Sequence, residues 1–307
     1  MKPRATPSPA PSPAPVAAAG HTFALPALRH ALHTEINAPT DPTPAPEPPA
    51  ALFARIRYHA PLGDNVAYVT PPPRRPGARR PAIVWIAGGL DWGIGSSAWE
   101  PAPRANDQSA RALREAGVVL MLPALRGSNG NPGHNECFLG EVDDILAAAD
   151  ALAKRPDVDP ERIYLGGHST GGTLALLAAE STDRFRAVFA FGPVADPRQY
   201  GRDGCLPSNA SADEAKARAP IDFLDQIVTP TFVIEGGARG NGDVFPRLQA
   251  RAGGAPLRFL LVPGGTHFTT LAPGTEVIAR AILADRGDAP QLDVTVDAIA
   301  ARLTAAP

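Results

Sequence analysis

A Gly-Gly-His-Ser-Thr-Gly-Gly run at residues 166–172 constrains the fold of this chain more than any other segment. It contains a G-x-S-x-G pentapeptide, Gly167 to Gly171, with a short apolar run before it and a small-residue, helix-favouring run after it. A serine at a sharp strand-to-helix turn exposes its hydroxyl and carries a strained backbone. The flanking glycines let the strand and the helix pass close together, and the helix N-terminus favours developing negative charge. We therefore predict a nucleophilic role for Ser169.

Apolar strand patterns alternate with helical patterns along most of the chain. After a predicted hairpin at residues 53–58 and 66–69, the predicted strands are 82–87, 118–122, 162–165, 186–191, 231–234 and 257–262. The predicted helices are 108–116, 136–155, 171–180, 244–252 and 276–284, with a weak one at 292–303. This alternation is typical of an α/β fold with a mostly parallel, doubly wound sheet and helices on both faces. The active site of such a fold lies at the carboxyl ends of the strands.

Composition divides the chain into an arm and a domain. Thirteen of the 36 prolines fall in the first 50 residues, which are also rich in alanine. Such a segment buries little apolar surface, so we predict a disordered arm over residues 1–50, with residues 23–36 able to form a short helix or a docked segment. Residues 51–307 then form the catalytic domain. Residues 196–224 interrupt the alternation and are predicted to be a small cap or lid insert.

A nucleophilic serine needs a base, and the base needs a carboxylate to orient it. In this type of sheet the chain order is serine, acid, histidine. His267 follows the last predicted strand in a Gly-Gly loop, whereas His134 precedes the serine. We predict Asp243 as the acid, in a glycine-rich loop before a helix, where an aspartate could also be an N-cap. Glu235, at the strand end, is the first alternative and Asp196 is the second.

The tetrahedral intermediate of such a reaction needs two backbone N–H donors. Thr170, directly after the serine, supplies one in this prediction. The glycine-rich loop at residues 86–93 supplies the other, from Gly89 or Leu90. Three further residues are candidates for the cleft, although a structural role is the simpler interpretation of each: Trp92, Arg126 and Glu136.

Net charge, apolar stretches and cysteine content limit the partners and the compartment that we expect for this protein. The net charge of −2 and the absence of a basic patch argue against a nucleic-acid partner, and no apolar stretch is long enough to span a membrane. Prolines interrupt the N-terminus where a signal peptide would be apolar, so we expect a cytoplasmic protein; a misassigned start would allow export or anchoring. Cys137 and Cys205 lack metal-ligand spacing. They are expected to be free thiols, or a disulfide between two active-site loops if the protein is exported.

Five segments carry a resemblance to the α/β-hydrolase superfamily and, within it, to the catalytic domain of the prolyl oligopeptidase (S9) family. They are residues 85–89, 123–130, 158–163, 229–237 and 266–268. The Arg-Gly-Ser-x-Gly and Asp-Pro-x-Arg-Ile pieces are especially similar to that family. The resemblance covers about residues 52 to 285. It implies an α/β-hydrolase fold and serine hydrolysis of an ester or amide, with no cofactor and no metal.

The chain departs from the family pattern in ways that affect the expected substrate. Ala87 stands where the family often has His, and Glu235 stands where a His usually ends the strand. The family's β-propeller has no counterpart in the roughly 80 residues before Ile83, so an esterase and a peptidase are equally open. We predict a serine hydrolase acting on a small-molecule ester or a short peptide, with a non-catalytic binding or partner protein of the same fold as the alternative. No feature indicates an oligomeric state.

Overall fold

One mixed β-sheet organises the part of the chain that the computed structural model describes. That part is residues 21–36, 40–73, 77–207 and 209–303, without the side chains of residues 202 and 203. The strands are β1 Ala54–Ala60, β2 Gly63–Val69, β3 Arg80–Ile86, β4 Val119–Pro123, β5 Val158–His168, β6 Val188–Phe191, β7 Thr231–Gly236 and β8 Leu257–Val262. Their order is β1-β2-β4-β3-β5-β6-β7-β8. β2 pairs antiparallel with both β1 and β4, and every other pairing is parallel.

Helices cover both faces of this sheet. They are α1 Ala24–Ala31, α2 Arg111–Glu115, α3 Glu141–Ala153, α4 Thr170–Ala179, α5 Ala212–Lys216, α6 Phe245–Arg251, α7 Leu271–Ala284 and α8 Val296–Leu303. The apolar side chains of α3, α4 and α6 share one buried cluster, and those of α2, α7 and α8 share the other. Each cluster includes alternate residues of the central strands, because successive side chains of a strand point to opposite faces. The predicted α/β-hydrolase architecture is confirmed.

Several element boundaries differ from the prediction. The helix predicted from residue 136 begins at Glu141, because Cys137 and Phe138 have positive φ angles of 59° and 68° that a right-handed helix excludes. The helix predicted from residue 276 begins five residues earlier, at Leu271. β5 is longer than expected and starts at Val158, where it pairs with Arg80 before the register shifts.

The N-terminal segment differs from the predicted disordered arm. Residues 1–20 lie outside the described residues, but α1 packs on the domain, in agreement with a docked helix within residues 23–36. Leu25 is fully buried in the cluster of α3 and α4. The Arg29 guanidinium, 3% exposed, donates to the carbonyl oxygen of Leu139 at 3.2 Å and pairs with Asp143 at 2.5 Å. The proline-rich composition of the segment did not predict these contacts, because each depends on a single residue.

Residues 40–50 also lie against the domain. Asp41 exchanges backbone hydrogen bonds with the loop after β4, donating to the carbonyl of Gly127 and accepting from the N–H of Gly130, both at 2.8 Å. The buried hydroxyl of Tyr68 donates to the carbonyl of Pro46 at 2.6 Å. A polar, proline-rich segment is thus held chiefly by hydrogen bonds from its backbone.

The two cysteines form a disulfide, so the expectation of free thiols is wrong. Cys137 and Cys205 are 68 residues apart in sequence, and their Cα atoms are 5.5 Å apart. The bond joins the loop before α3 to the insert at residues 196–224. This insert contains the short helical turns Pro197–Asp203 and Pro220–Asp222 together with α5, and it ends at Leu224, the first residue of the turn Leu224–Gln226.

Arg218 fixes the same insert from its other end. Its side chain is fully buried and donates to the carbonyl of Glu136 and, at 3.0 Å, to the Thr34 hydroxyl. One guanidinium therefore connects the insert, the loop next to the disulfide and the N-terminal segment.

Candidate active site

The strand-to-helix turn between β5 and α4 has the geometry that the sequence predicts. Ser169 has φ 55° and ψ −116°, a strained conformation for a residue with a side chain. Its N–H donates to the carbonyl of Phe191 at 2.7 Å. A Cβ on Gly167 would collide with the main chain of Gly171, and one on Gly171 would collide with the carbonyl of Ile86. The glycines are required because three main-chain segments meet there.

His267 lies after β8 and is held at several atoms. Its N–H donates to the carbonyl of Arg239 at 2.7 Å, and its Nδ1 is 2.8 Å from Oε2 of Glu235. The Glu235 side chain is fully buried. Its carboxylate accepts from the N–H of Gly236 at 2.6 Å and from that of Asn241 at 2.8 Å. These contacts keep one carboxylate oxygen directed at the imidazole.

The predicted acid, Asp243, is not the carboxylate that the structure places beside the histidine. Asp243 is exposed in the helical turn Gly242–Val244, and Glu235 contacts His267 instead. The second alternative, Asp196, caps the turn that follows it and pairs with Arg198. The sequence signal for Glu235 was its position at the end of β7. From there the glutamate side chain reaches the imidazole, and the glycine-rich loop supports it through the N–H of Asn241.

The end of β6 brings the serine turn and the histidine together. Phe191 accepts the hydrogen bond from Ser169, and a Cβ on the next residue, Gly192, would collide with the ring of His267. Nε2 of His168 lies 3.0 Å from the carbonyl oxygen of His267. The described structure thus gathers serine, histidine and glutamate at the carboxyl ends of β5, β7 and β8.

The loop after β3, which carries the proposed donors Gly89 and Leu90, lies against the N-terminus of α4. The Thr170 hydroxyl donates to the carbonyl of Gly89, and the Asn135 amide donates to the carbonyl of Leu90 at 2.5 Å. Gly89 has φ +114°, which few residues with a side chain adopt.

Sequence reasoning missed an aromatic residue of the insert. The hydroxyl of Tyr200 is 3.0 Å from Oγ1 of Thr173 and also interacts with the Ser169 side chain. Burial raises the pKa of Tyr200, although hydrogen bonding to these two hydroxyl groups lowers it in part. Its ring stacks on Phe138, with centroids 5.9 Å apart. The insert was predicted, but its sequence gave no sign of which side chain faces the serine.

The three other cleft candidates are structural. Arg126 is 5% exposed and pairs with Asp144 at 2.9 Å and Glu136 at 2.8 Å. Burial alone would lower the pKa of Arg126, but hydrogen bonding to Asp144 and that residue's charge raise it above its ordinary value. Trp92 is buried and packs edge-on against Phe138 at 5.1 Å. All three stabilise the loops that surround the site.

The described residues also bear on metal binding and on membrane insertion. Across residues 21–36, 40–73, 77–207 and 209–303, no group of three or more His, Cys, Asp or Glu side chains gathers as metal ligands do. Among the helices of that same part, none combines the length and the apolar character needed to cross a bilayer.

Comparison with known families gives one match in the middle of the chain. The model of the prolyl oligopeptidase family matches residues 104–238. This segment includes the serine turn and the insert, and it ends just after Glu235.

Two curated proteins match this chain at 31% and 27% sequence identity. An uncharacterized peptidase, YtmA of Bacillus subtilis, is 31% identical over 134 residues, which are 39% of this chain and 51% of that protein. Dipeptidyl-peptidase 5 of Porphyromonas endodontalis is 27% identical over 226 residues, which are 64% of this chain and 31% of that protein. The chain thus spans about half of the length of the first relative and about a third of that of the second.

Solved structures show the same fold. An acylaminoacyl peptidase of Pyrococcus horikoshii superposes with a TM-score of 0.62 at 16% identity, covering 80% of this chain and 43% of that one. Together with the strand order and the serine turn, these matches identify the chain as an α/β-hydrolase-fold protein whose domain resembles the catalytic domain of the prolyl oligopeptidase family.

Proposed function

We propose that this protein is a serine hydrolase in which Ser169 is the nucleophile, His267 the general base and Glu235 the acid. The observation that carries the proposal is the 2.8 Å contact between His267 Nδ1 and the buried Glu235 carboxylate, next to the strained serine turn. A carboxylate on Nδ1 sets the tautomer that leaves Nε2 free to take the serine proton, and it stabilises the imidazolium that forms. The family match supports a hydrolase with this chemistry.

The reaction follows from these positions. Ser169 Oγ attacks the carbonyl carbon of an ester or amide while its proton passes to His267. The resulting tetrahedral intermediate collapses to an acyl-enzyme, and His267 returns the proton to the departing alcohol or amine. A water molecule then attacks the acyl carbon by the same route and releases the acid, which regenerates the free serine.

The loop after β3 supports an oxyanion site. We place the developing negative charge between the N–H of Thr170, at the start of α4, and the N–H of Gly89 or Leu90. A helix N-terminus has unpaired N–H groups and a dipole that favours an anion. Removing one such donor in other enzymes lowers kcat by about 10²–10³-fold.

The substrate is a small ester or a short peptide amide in this proposal. The hydroxyl of Tyr200 in the insert lies 3.0 Å from Oγ1 of Thr173, on the helix that follows Ser169, and this contact supports a role of the insert in limiting the size of the acyl group. The curated relatives include two named as peptidases, which favours the amide, whereas the small size of the domain favours neither. The disulfide fits an oxidising compartment rather than the cytoplasm expected from sequence.

The test is labelling of the purified protein with a fluorophosphonate probe, followed by turnover of p-nitrophenyl esters of increasing chain length and of aminoacyl amides. We expect stoichiometric labelling and measurable hydrolysis of short-chain esters, because their leaving group needs little protonation. Ser169→Ala should abolish both, and Ser97→Ala, at an exposed serine, should change neither. Labelling that persists in Ser169→Ala would remove the nucleophile from the proposal, and absence of labelling in the wild type would favour the non-catalytic alternative.

A further inference from the structure

A second histidine, His168, is buried directly beside the catalytic site. It is the residue before Ser169 in the G-x-S-x-G motif and is 1% exposed. Its Nδ1 is 2.9 Å from the side-chain amide of Gln108, and its Nε2 is 3.0 Å from the carbonyl oxygen of His267. The two imidazole rings have centroids 4.5 Å apart. The mechanism described above uses neither nitrogen of this ring.

The partners of the ring decide where its proton is. A carbonyl oxygen only accepts, so Nε2 of His168 must carry the hydrogen that His267 receives. Burial, and secondarily the nearby His267, lower the pKa of His168 to about 3, so the ring is neutral and Nδ1 is a bare acceptor. With the hydrogen on Nε2, Nδ1 needs a donor, so the Gln108 amide must present its NH₂ group to the ring instead of the Oε1 that now lies 2.9 Å away. That half-turn of the amide gives up the contacts of Gln108 with the N–H of Gly88 at 3.4 Å and with Oδ1 of Asn106 at 2.9 Å.

The hydrogen bond to His267 acts on the main chain of a glycine-rich loop. His267 follows Gly264 and Gly265 in sequence. Its carbonyl oxygen is contacted by the side chain of His168, the residue directly before Ser169. Its N–H and its Nδ1 are held by the β7 side, through Arg239 and Glu235. The carbonyl is therefore the contact that fixes the base relative to the serine rather than relative to the acid.

We propose that His168 is a positioning residue, whose Nε2–H holds the main chain of His267 at a fixed distance from Ser169. This inference rests on the proposed function, because a fixed distance matters only if His267 takes the proton of Ser169. A base displaced by about 1 Å can cost about 10²-fold in rate. The contact joins two structural elements, the turn after β5 and the loop after β8.

Packing alone is the competing explanation. Phe268 lies with its ring centroid 5.5 Å from that of His168 and 5.0 Å from that of His267, so the ring of His168 also fills space. A variant that keeps the volume but cannot donate separates the two explanations.

The matched variants are His168→Met and His168→Gln. Both side chains are unbranched and of equal length, and only glutamine can donate to the carbonyl of His267. His168→Phe adds a variant that keeps a ring without a donor. For each, kcat, KM, the rate of fluorophosphonate labelling and the melting temperature are measured on the full chain.

We expect His168→Met and His168→Phe to lower kcat and the labelling rate by about 10–100-fold, with KM within about twofold of the wild type. The kcat and the labelling rate of His168→Gln should be at least about tenfold higher than those of His168→Met. The melting temperatures of these two variants should be equal. Equal rates for the Met and Gln variants, whether low or normal, would overturn the positioning role even if His168→Phe fails to fold. Wild-type turnover by Ser169→Ala would instead overturn the proposed function, so the two failures are distinguishable.

Discussion

The serine turn and the acid loop lie at the same edge of the sheet but are held in place by different forces. In the serine turn, the main chains of β3, β5 and α4 approach so closely that a Cβ at Gly167 or Gly171 has no space. In the acid loop, a single carboxylate, Glu235, gathers the N–H groups of Gly236 and Asn241 and the ring of His267. Close packing of main chains fixes the first. Charge-assisted hydrogen bonds are added to such packing in the second, where a Cβ on Gly236 would collide with the main chain of Gly265 and Thr266.

The serine turn and the acid loop therefore contribute differently to stability and to catalytic rate. A change of shape in the serine turn disturbs the sheet itself, because its neighbours are main-chain atoms that cannot repack. A change of charge in the acid loop leaves the packing intact and removes the group that orients the base. The serine turn should therefore respond to substitution in stability and the acid loop in catalytic rate.

The strongest test of the comparison replaces the charge of Glu235 without changing its shape. Glu235→Gln should lower kcat by about 10⁴-fold, as loss of the acid does in serine proteases, which is about 5.4 kcal/mol of transition-state stabilisation. The melting temperature should change little. Asp243→Asn is the matched control and should keep kcat within about twofold, since Asp243 is exposed. A large loss of kcat in Asp243→Asn with a normal rate in Glu235→Gln would reverse our assignment of the acid.

A methyl group added to each region should sharpen the contrast. Gly171→Ala places a Cβ against the carbonyl of Ile86 and should cost more than about 4 kcal/mol of stability, or prevent folding. Gly240→Ala places its Cβ against the Glu235 carboxyl group, at a glycine with φ +151°, and should lower kcat more than stability. Urea unfolding and ester turnover of both variants measure the two effects. Comparable stability losses would show that the acid loop is also fixed by packing.

Removing the disulfide should have the smallest effect on catalytic rate, because the disulfide lies in neither the serine turn nor the acid loop. Removing it through Cys137→Ser with Cys205→Ser should cost about 2–4 kcal/mol of stability, chiefly by loosening the unfolded chain. Turnover of the smallest ester should fall less than about fivefold, since serine, histidine and glutamate keep their own hydrogen bonds. Thiol alkylation with mass spectrometry checks that the wild-type cysteines are paired. A loss of kcat as large as that of Glu235→Gln would contradict this separation of insert and catalytic site.

The features that the sequence predicted well depend on local pattern. Alternating apolar strands and helices predicted the α/β architecture, and the strand-turn-helix context predicted the conformation of Ser169, because both arise from neighbours in sequence. His267 was predicted from its position after the last strand. Its catalytic role, like that of Ser169, stays a prediction until it is tested.

The features that were missed depend on distant contacts. Glu235 lies at the end of β7 and Asp243 in the loop after it, and only the fold shows which carboxylate reaches the imidazole. Cys137 and Cys205 are 68 residues apart, and no local pattern indicates that their Cα atoms are 5.5 Å apart. The anchoring of Leu25 likewise depends on a groove built by other segments, which the composition of its own segment does not reveal.

The disulfide also has a topological consequence. Cys137 and Cys205 close a covalent ring that contains α3, β5, the serine turn, α4, β6 and the beginning of the insert, with Ser169 inside it and Glu235 and His267 outside. A single protease cut within that ring opens the loop but leaves the chain in one covalent piece. The exposed stretch of the insert next to Tyr200 could be nicked and the nucleophile would still be tethered to the rest of the site. Gel electrophoresis would show one band without reductant and two bands with it.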